Sequence, residues 1–273
     1  MFERIVAGTD GSDTASLAME HAVDLAGRLG AELTVVSAYA AAEHDGAQPR
    51  GGRGSGSGRA DAGPPSPAAA IALALLRDVE TRHGLRLALR TRAVPGEVAT
   101  SLIRTAQEER ADLLVVGNLG MGRSQFLMRS IPGRVAHRAP LSVLIVDTVH
   151  GRPPGYGRIL VGVGGSESGL RAAEVATRLA ERIGAKATAA VVGAGPSERR
   201  ALDALATRWP GLEVRSLEGN PAAALCALAE TDGYDLLVVG NRGMGGPRRF
   251  LGSVPDKVSH RARTNVLIVH SLD

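Results

Sequence analysis

The sequence predicts an α/β protein made of two consecutive copies of one domain, each built around a doubly wound, parallel five-stranded sheet. Three observations predict this: an internal repeat, short apolar segments that alternate with helical ones, and a length of 273 residues, which suits two domains. Short apolar strands separated by helices favour a parallel sheet covered on both faces. Such a sheet binds ligands at the carboxyl ends of its strands, where the winding direction reverses.

The repeat is clearest in one segment of eleven residues. Asp112–Gly122 returns as Asp235–Gly245, with ten of eleven positions identical at an offset of 123. Near the starts of the copies, Arg4–Gly8 matches Arg158–Gly162 at an offset of 154. The first copy therefore carries 31 extra residues, and a Gly/Ser/Pro-rich stretch at about 44–67 predicts a flexible insertion there.

The repeat also places the domain boundary. We assign residues 1–150 to copy one and residues 155–273 to copy two, joined by a short turn-rich linker around Gly151–Gly155. Copy one is predicted to contain, in order, strand Arg4–Thr9, helix Thr14–Leu29, strand Glu32–Tyr39, helix Ala68–Arg82, strand Leu85–Val94, helix Glu97–Glu109, strand Leu113–Gly117, helix Ile131–Arg138 and strand Ser142–Val146. Copy two is predicted to contain strand Ile159–Val163, helix Ser168–Ile183, strand Lys186–Val192, helix Glu198–Trp209, strand Glu213–Leu217, helix Pro221–Glu230, strand Leu236–Gly240, helix Val254–Arg261 and strand Asn265–Val269.

Composition and charge exclude several classes of function. The net charge of +4 is modest, and no basic run is interleaved with aromatic residues, so we expect no nucleic-acid partner. No apolar run approaches the roughly 18 residues that a membrane span needs, so we expect no membrane association. The start of the chain does not resemble a signal peptide, and the single cysteine, Cys226, cannot form an internal disulfide. These features favour a cytoplasmic protein.

The most informative stretch follows the fourth strand of each copy. Copy two has Gly240 and Gly243, then eight residues, then Gly252 and Ser253. Glycines directly after a strand let the backbone approach a ligand, and Ser253 is a good N-cap for a helix with a positively polarised start. The pattern predicts a phosphate site, and a glycine-rich turn that binds nothing is the alternative.

Other motifs of nucleotide and metal chemistry do not occur. A Walker loop needs a lysine directly after a glycine, and neither Lys186 nor Lys257 follows one. The dinucleotide fingerprint fails because Gln125 and Arg248 occupy the position of its third glycine, so hydride chemistry is not expected. His260 lies near the end of a predicted helix, where a histidine contacts terminal carbonyl groups.

These motifs resemble those of the universal stress protein family. That family carries Gly-x2-Gly-x9-Gly-Ser/Thr after its fourth strand and Asp-Gly-Ser after its first. The chain matches the first motif with a spacer one residue shorter, and Asp10–Ser12 matches the second. Both copies fit the family's order of elements, so the chain resembles a tandem universal stress protein with two UspA-type domains. The implied fold is Rossmann-like or flavodoxin-like, of the adenine nucleotide alpha hydrolase-like type.

The resemblance implies that each copy binds ATP or another adenine nucleotide, with or without Mg²⁺. The glycine-rich loop and the Gly-Ser pair would hold the phosphates and ribose, Asp10 would help to hold the nucleoside, and the end of the second strand would contact the base. The implied nucleotide-binding residues of copy one are Gly8, Asp10, Val36, Gly117, Gly120, Gly122, Arg123, Arg129 and Ser130. Those of copy two are Gly162, Val192, Gly240, Gly243, Gly245, Gly252 and Ser253. No residue is assigned a catalytic or metal-binding role.

Each copy departs from the pattern in a different place. Copy one has Arg129 where copy two has Gly252, and copy two has Gly164 where copy one has Asp10, so we expect two sites of unequal affinity. The implied function is a cytoplasmic stress-response regulator. One alternative is a slow ATPase or autophosphorylating enzyme, with Asp10 or Ser130 as its candidates, and the other is a dimerisation scaffold that binds no nucleotide. We expect the copies to pair within the chain and a homodimer to form near the fifth strands.

Overall fold

The computed structural model describes residues 1–39, 88–118, 130–241 and 253–271, together with five helical residues at positions 70, 74, 77, 78 and 81. The five fall within the helix predicted at Ala68–Arg82. The predicted insertion and both glycine-rich loops lie outside the described residues. None of the helices in the described part is long and apolar enough to cross a membrane.

The observed elements agree with the predicted ones to within two residues, except that the predicted start of the third strand lies outside the described residues. Copy one contains β1 (Arg4–Gly8), α1 (Asp13–Leu29), β2 (Glu32–Tyr39), β3 (Leu89–Pro95), α2 (Val98–Glu108), β4 (Leu113–Gly117), α3 (Ile131–Arg138) and β5 (Ser142–Val146). Copy two contains β6 (Arg158–Gly162), α4 (Glu167–Ile183), β7 (Lys186–Val192), α5 (Pro196–Arg208), β8 (Glu213–Leu217), α6 (Pro221–Thr231), β9 (Leu236–Gly240), α7 (Val254–Arg261) and β10 (Asn265–Val269).

The strands form one sheet in the order β3-β2-β1-β4-β5-β10-β9-β6-β7-β8. All neighbours within a copy are parallel. The order 3-2-1-4-5 within each copy is the Rossmann order, which selects between the two fold types that the sequence left open. The winding reverses between β1 and β4 in copy one and between β6 and β9 in copy two. These two points are where a doubly wound sheet leaves a crevice for a ligand.

The copies meet at β5 and β10, which pair antiparallel with Leu144 opposite Leu267. The two predicted five-stranded sheets are therefore halves of one ten-stranded sheet. Each fifth strand is short and apolar, and this pairing gives its open edge a partner. The edges of the joined sheet are β3 and β8, which carry charged residues such as Arg92 and Arg215 that oppose edge-to-edge association.

Side chains of the strands alternate between two apolar layers. In β1, Ile5 and Ala7 face one layer and Val6 faces the other. Helices α1, α4 and α5 cover the first layer, and helices α2, α3, α6 and α7 cover the second. Both layers continue across the β5–β10 pair, so the two copies share their core.

The helices that follow the first strand of each copy begin and end in the same way. Ser12 caps α1 and Ser166 caps α4, each accepting a hydrogen bond from a backbone N–H in the first turn. Both helices end at a glycine in the left-handed conformation, Gly30 with φ 67° and Gly184 with φ 71°. Because α1 follows β1 and α4 follows β6, the starts of both helices lie at the carboxyl edge of the sheet.

His21 ties the linker between the copies to α1. Its buried ring has Nε2 at 3.1 Å from the Arg152 carbonyl oxygen, to which it can only donate. Nδ1 therefore accepts from the Tyr156 hydroxyl, which lies 3.1 Å away. Burial lowers the pKa of His21, although the Arg152 hydrogen bond and Asp24 oppose the shift. Burial raises the pKa of Tyr156 far above its usual range, so its hydroxyl stays protonated and can donate.

We expect the free energy of unfolding to fall as the pH drops below 6.5, the ordinary pKa of histidine. The pKa of His21 is lower in the folded chain, so the unfolded chain binds more protons and is favoured in acid. His260, whose pKa is also lowered by burial, acts in the same direction. His21→Gln keeps a donor for the Arg152 carbonyl and should cost about 1 kcal/mol at pH 8. Urea unfolding at pH 7 and pH 5 should show a shallower decline for His21→Gln, and an unchanged decline would contradict this account.

Candidate functional site

A cavity of about 220 Å³ opens at the carboxyl ends of β6, β7 and β9, at the point where copy two reverses its winding. The first turns of α4, α5, α6 and α7 complete its walls. Three of the residues predicted for copy two line it: Gly162, Val192 and Gly240. These three predicted residues therefore lie together at one edge of the sheet.

The start of α7 forms the wall of the cavity next to β9. Ser253 caps this helix, with its Oγ accepting a 3.4 Å hydrogen bond from the Asp256 backbone N–H. The next two residues, Val254 and Pro255, line the cavity. The remaining predicted residues of copy two, Gly243, Gly245 and Gly252, lie outside the described residues.

Two glycines at the floor of the cavity leave room for neighbouring elements to pack closely. A Cβ on Gly162 would lie 2.6 Å from Cδ1 of Leu225, and a Cβ on Gly240 would overlap the carbonyl oxygen of Ser168. Protein atoms thus fill the space beside these glycines, which lets α4 and α6 lie close to the sheet. Their identity needs no direct ligand contact.

The copy-one residues occupy the equivalent edge of the sheet. The register of β1 and β2 places Gly8 opposite Val36, and Gly117 ends the neighbouring strand β4. A Cβ on Gly8 would lie 2.9 Å from Cδ1 of Leu102, so this glycine also permits close packing. Ser130 caps α3, and its Oγ accepts a 3.2 Å hydrogen bond from a backbone N–H of that helix. The remaining predicted residues of copy one, Gly120, Gly122, Arg123 and Arg129, lie outside the described residues.

The loop after the first strand differs between the copies. Asp10 is exposed, and its Oδ1 accepts hydrogen bonds from the Ser12 backbone N–H at 3.0 Å and from the Ser12 hydroxyl at 2.7 Å. The equivalent residue is Gly164, because Ser12 and Ser166 cap equivalent helices two residues further on. The copy-two loop also lies against α5, since a Cβ on Gly165 would overlap the backbone of Ser197.

An acidic residue in the first turn of α7 is turned away from the cavity. Asp256 is buried, its Oδ1 lies 3.7 Å from Nε2 of His137 on α3, and it is not among the residues that line the cavity. Nδ1 of His260 lies 3.0 Å from the carbonyl oxygen of Asp256, in the first turn of the same helix, and not beside the terminal carbonyl groups that the sequence predicted. No group of three or more metal-ligating side chains suited to a metal ion occurs within the described residues.

Sequence reasoning missed the role of two equivalent asparagines that follow β4 and β9. Oδ1 of Asn118 accepts from the backbone N–H and the hydroxyl of Thr148, both at 2.9 Å. Oδ1 of Asn241 accepts from the same two groups of Ser271, at 3.3 and 2.7 Å. Each asparagine thus ties the end of the fourth strand to the segment after the fifth strand. Their identity at equivalent positions of the repeat was the available signal.

A doubly wound parallel sheet of Rossmann order, with a cavity at its switch point and helix starts around it, defines a Rossmann-like α/β protein. The chain matches the family model of the universal stress protein family over residues 1–147 and 193–270. The chain belongs to the universal stress protein family.

The chain is also similar to individual proteins. A universal stress protein of Mycobacterium tuberculosis is 33% identical over 150 residues, which are 54% of this chain and 97% of that protein. The crystal structure of a universal stress protein from Archaeoglobus fulgidus superposes with a TM-score of 0.75 at 17% identity, covering 99% of this chain and 97% of that one. It shares the whole tandem fold. A universal stress protein crystallised in complex with cAMP is 29% identical over 54% of this chain and 98% of its own, with a TM-score of 0.42.

Proposed function

We propose that the chain binds ATP or another adenine nucleotide in the copy-two cavity and in the equivalent crevice of copy one. The observation that carries the proposal is the cavity at the carboxyl ends of β6 and β9, which is lined by the first residues of α7. The positive end of the α7 dipole and the Ser253 hydroxyl suit a phosphate, whereas Pro255 has no N–H and the Asp256 N–H already donates to Ser253. The apolar side chains of Val192 and Leu225 suit a nucleoside.

The groups around the cavity fit a nucleotide that brings its own cation. Ser253 and the first turn of α7 would hold phosphate, and we propose that Gly243, Gly245 and Gly252 complete that contact. Any Mg²⁺ would be bound mainly by the polyphosphate, because the described residues provide no metal-ligand cluster. The equivalent contacts in copy one would come from Ser130 and the start of α3.

In biological terms, we propose a cytoplasmic stress-response regulator whose partners or stability change when nucleotide binds. The two sites would differ in affinity, because Asp10 has no carboxylate counterpart at Gly164. The homodimer remains a prediction. It would use a surface other than the edges of the fifth strands, since β5 and β10 pair with each other. Light scattering of the purified chain measures the number of copies directly.

Two equivalent substitutions test the two sites separately. Ile131 and Val254 are the first residues of α3 and α7, so a glutamate at either position favours its helix while repelling a polyphosphate. We expect Val254→Glu to weaken ATP binding by at least about tenfold at one site and Ile131→Glu to do so at the other. Val149→Glu, at an exposed position after β5, is the control and should bind like the unmutated chain.

Calorimetric titration with ATP, ADP, AMP and cAMP provides the measurement. The absence of binding by the folded, unmutated chain to any of these would favour the scaffold alternative. Binding of ATP that Val254→Glu leaves unchanged in affinity and stoichiometry would place the nucleotide elsewhere. Release of labelled phosphate, or label retained on the protein, would favour the enzymatic alternative.

A further inference from the structure

Glu198 is the one charged residue that lines the copy-two cavity among the described residues. It lies in the first turn of α5 and is half-buried. A Cβ on Gly195 would lie 2.7 Å from Oε2 of Glu198, and a Cβ on Gly193 would lie 3.4 Å from its Cγ. The side chain therefore lies over the segment that follows β7, at the wall of the cavity.

This wall is opposite the start of α7. Strand β6 lies between β9 and β7 in the sheet, α7 follows β9, and α5 follows β7. The β6–α4 loop reaches the first turn of α5, because Gly165 is in close contact with Ser197. Glu198 thus brings a carboxylate to the part of the cavity where Gly164 provides none.

The two walls require opposite chemistry from a ligand. The start of α7 presents the positive end of a helix dipole and the Ser253 hydroxyl, which attract an anion, whereas an ionised carboxylate only accepts hydrogen bonds and repels phosphate. A ligand that spans the cavity must therefore carry an anionic group at one end and hydroxyl or amino donors at the other. A nucleotide with free ribose hydroxyls meets both requirements.

We propose that Glu198 accepts hydrogen bonds from the ribose 2′- and 3′-hydroxyl groups of a nucleotide in copy two, and so makes this site selective for ribonucleotides. The inference rests on the proposed nucleotide binding. A carboxylate in the first turn of a helix also interacts favourably with the helix dipole, which accounts for a glutamate on α5 but not for its place in the cavity wall.

The test compares ATP with 2′,3′-dideoxy-ATP by calorimetry, in full-length chains that carry Ile131→Glu to weaken the copy-one site. With Glu198 present, we expect ATP to bind at least about tenfold more tightly than the dideoxy analogue, since hydrogen bonds to charged groups are the stronger ones. In Glu198→Gln the preference should fall to about threefold or less, with the analogue bound no more weakly than by the chain that keeps Glu198. Asp203→Asn, which makes the same charge change at an exposed position of α5, should keep the full preference.

The outcomes separate this inference from the proposed function. If ATP binds and Glu198→Gln retains the preference for ATP over the dideoxy analogue, the ribose contact is wrong and nucleotide binding stands. If Glu198→Gln instead changes the preference between ATP and inosine triphosphate, Glu198 contacts the base and the ribose assignment is overturned. If ATP binds to no chain in the series, the proposed function and this inference fail together.

Discussion

Gly240→Ala is expected to lower the free energy of unfolding by about 3 kcal/mol. A Cβ at this position would overlap the carbonyl oxygen of Ser168 and lie 2.7 Å from its carbonyl carbon. Both atoms belong to the backbone at the start of α4, so no change of rotamer relieves the overlap and the helix itself must move. Gly162→Ala provides a graded comparison, because the closest atom to its Cβ would be a terminal methyl group of Leu225, which can rotate away. That variant should lose about 1 kcal/mol.

Urea unfolding of the three chains measures these differences, with Gly27→Ala as the matched control. Gly27 lies within α1, and no neighbouring atom lies within 4 Å of the point that its Cβ would occupy, so alanine there should stabilise the chain by about 0.5–1 kcal/mol. The dependence of the unfolding free energy on urea should stay the same in all variants if only the folded state is affected. A Gly240→Ala chain with the midpoint of the unmutated protein would contradict the close approach of α4 to β9.

The identity and limits of the elements could be predicted because their signals are local. Apolar runs such as Leu113–Gly117 and helix signals such as Ser12 and Gly30 depend on neighbouring residues alone. The strand order could not be predicted, because Rossmann and flavodoxin windings use the same alternation of strands and helices. The joining of the two sheets into one could not be predicted either. A short apolar strand such as Val143–Val146 is equally compatible with the edge of a sheet and with a position inside a larger one.

The candidate site was predicted in part for the same reason. The repeated segment identified Gly240, and the N-cap residue Ser253 identified the start of α7. Glu198 was missed, because it reaches the cavity only through the packing of α5 against β7 and α4, and no repeated motif marks that helix. A glycine can leave room for a ligand or for a neighbouring side chain, and the sequence does not distinguish the two cases. Gly162 leaves room for the side chain of Leu225.

Truncation of Leu144 or Leu267 is expected to destabilise both copies at once. The two side chains are each 1% exposed, oppose each other across the β5–β10 pair, and belong to the same apolar layer. Each Leu→Ala substitution should cost about 2–5 kcal/mol from lost burial and the cavity left behind. The double variant should lose less than the sum, because the second truncation removes contacts that the first has already broken. Leu33→Ala with Leu236→Ala is the additive control, since these buried residues lie on β2 and β9 and do not pair.

The same variants test whether the copies unfold as one unit. The single tryptophan, Trp209, lies in copy two, so its fluorescence reports on that copy while circular dichroism reports on both. Because the two apolar layers run through the β5–β10 junction, Leu144→Ala in copy one should shift the fluorescence transition of copy two by the same amount as the dichroism transition. A fluorescence transition that stays in place while the dichroism transition moves would mean that residues 1–150 and 155–273 unfold independently. The pairing of β5 with β10 would then join two self-sufficient domains instead of completing one core.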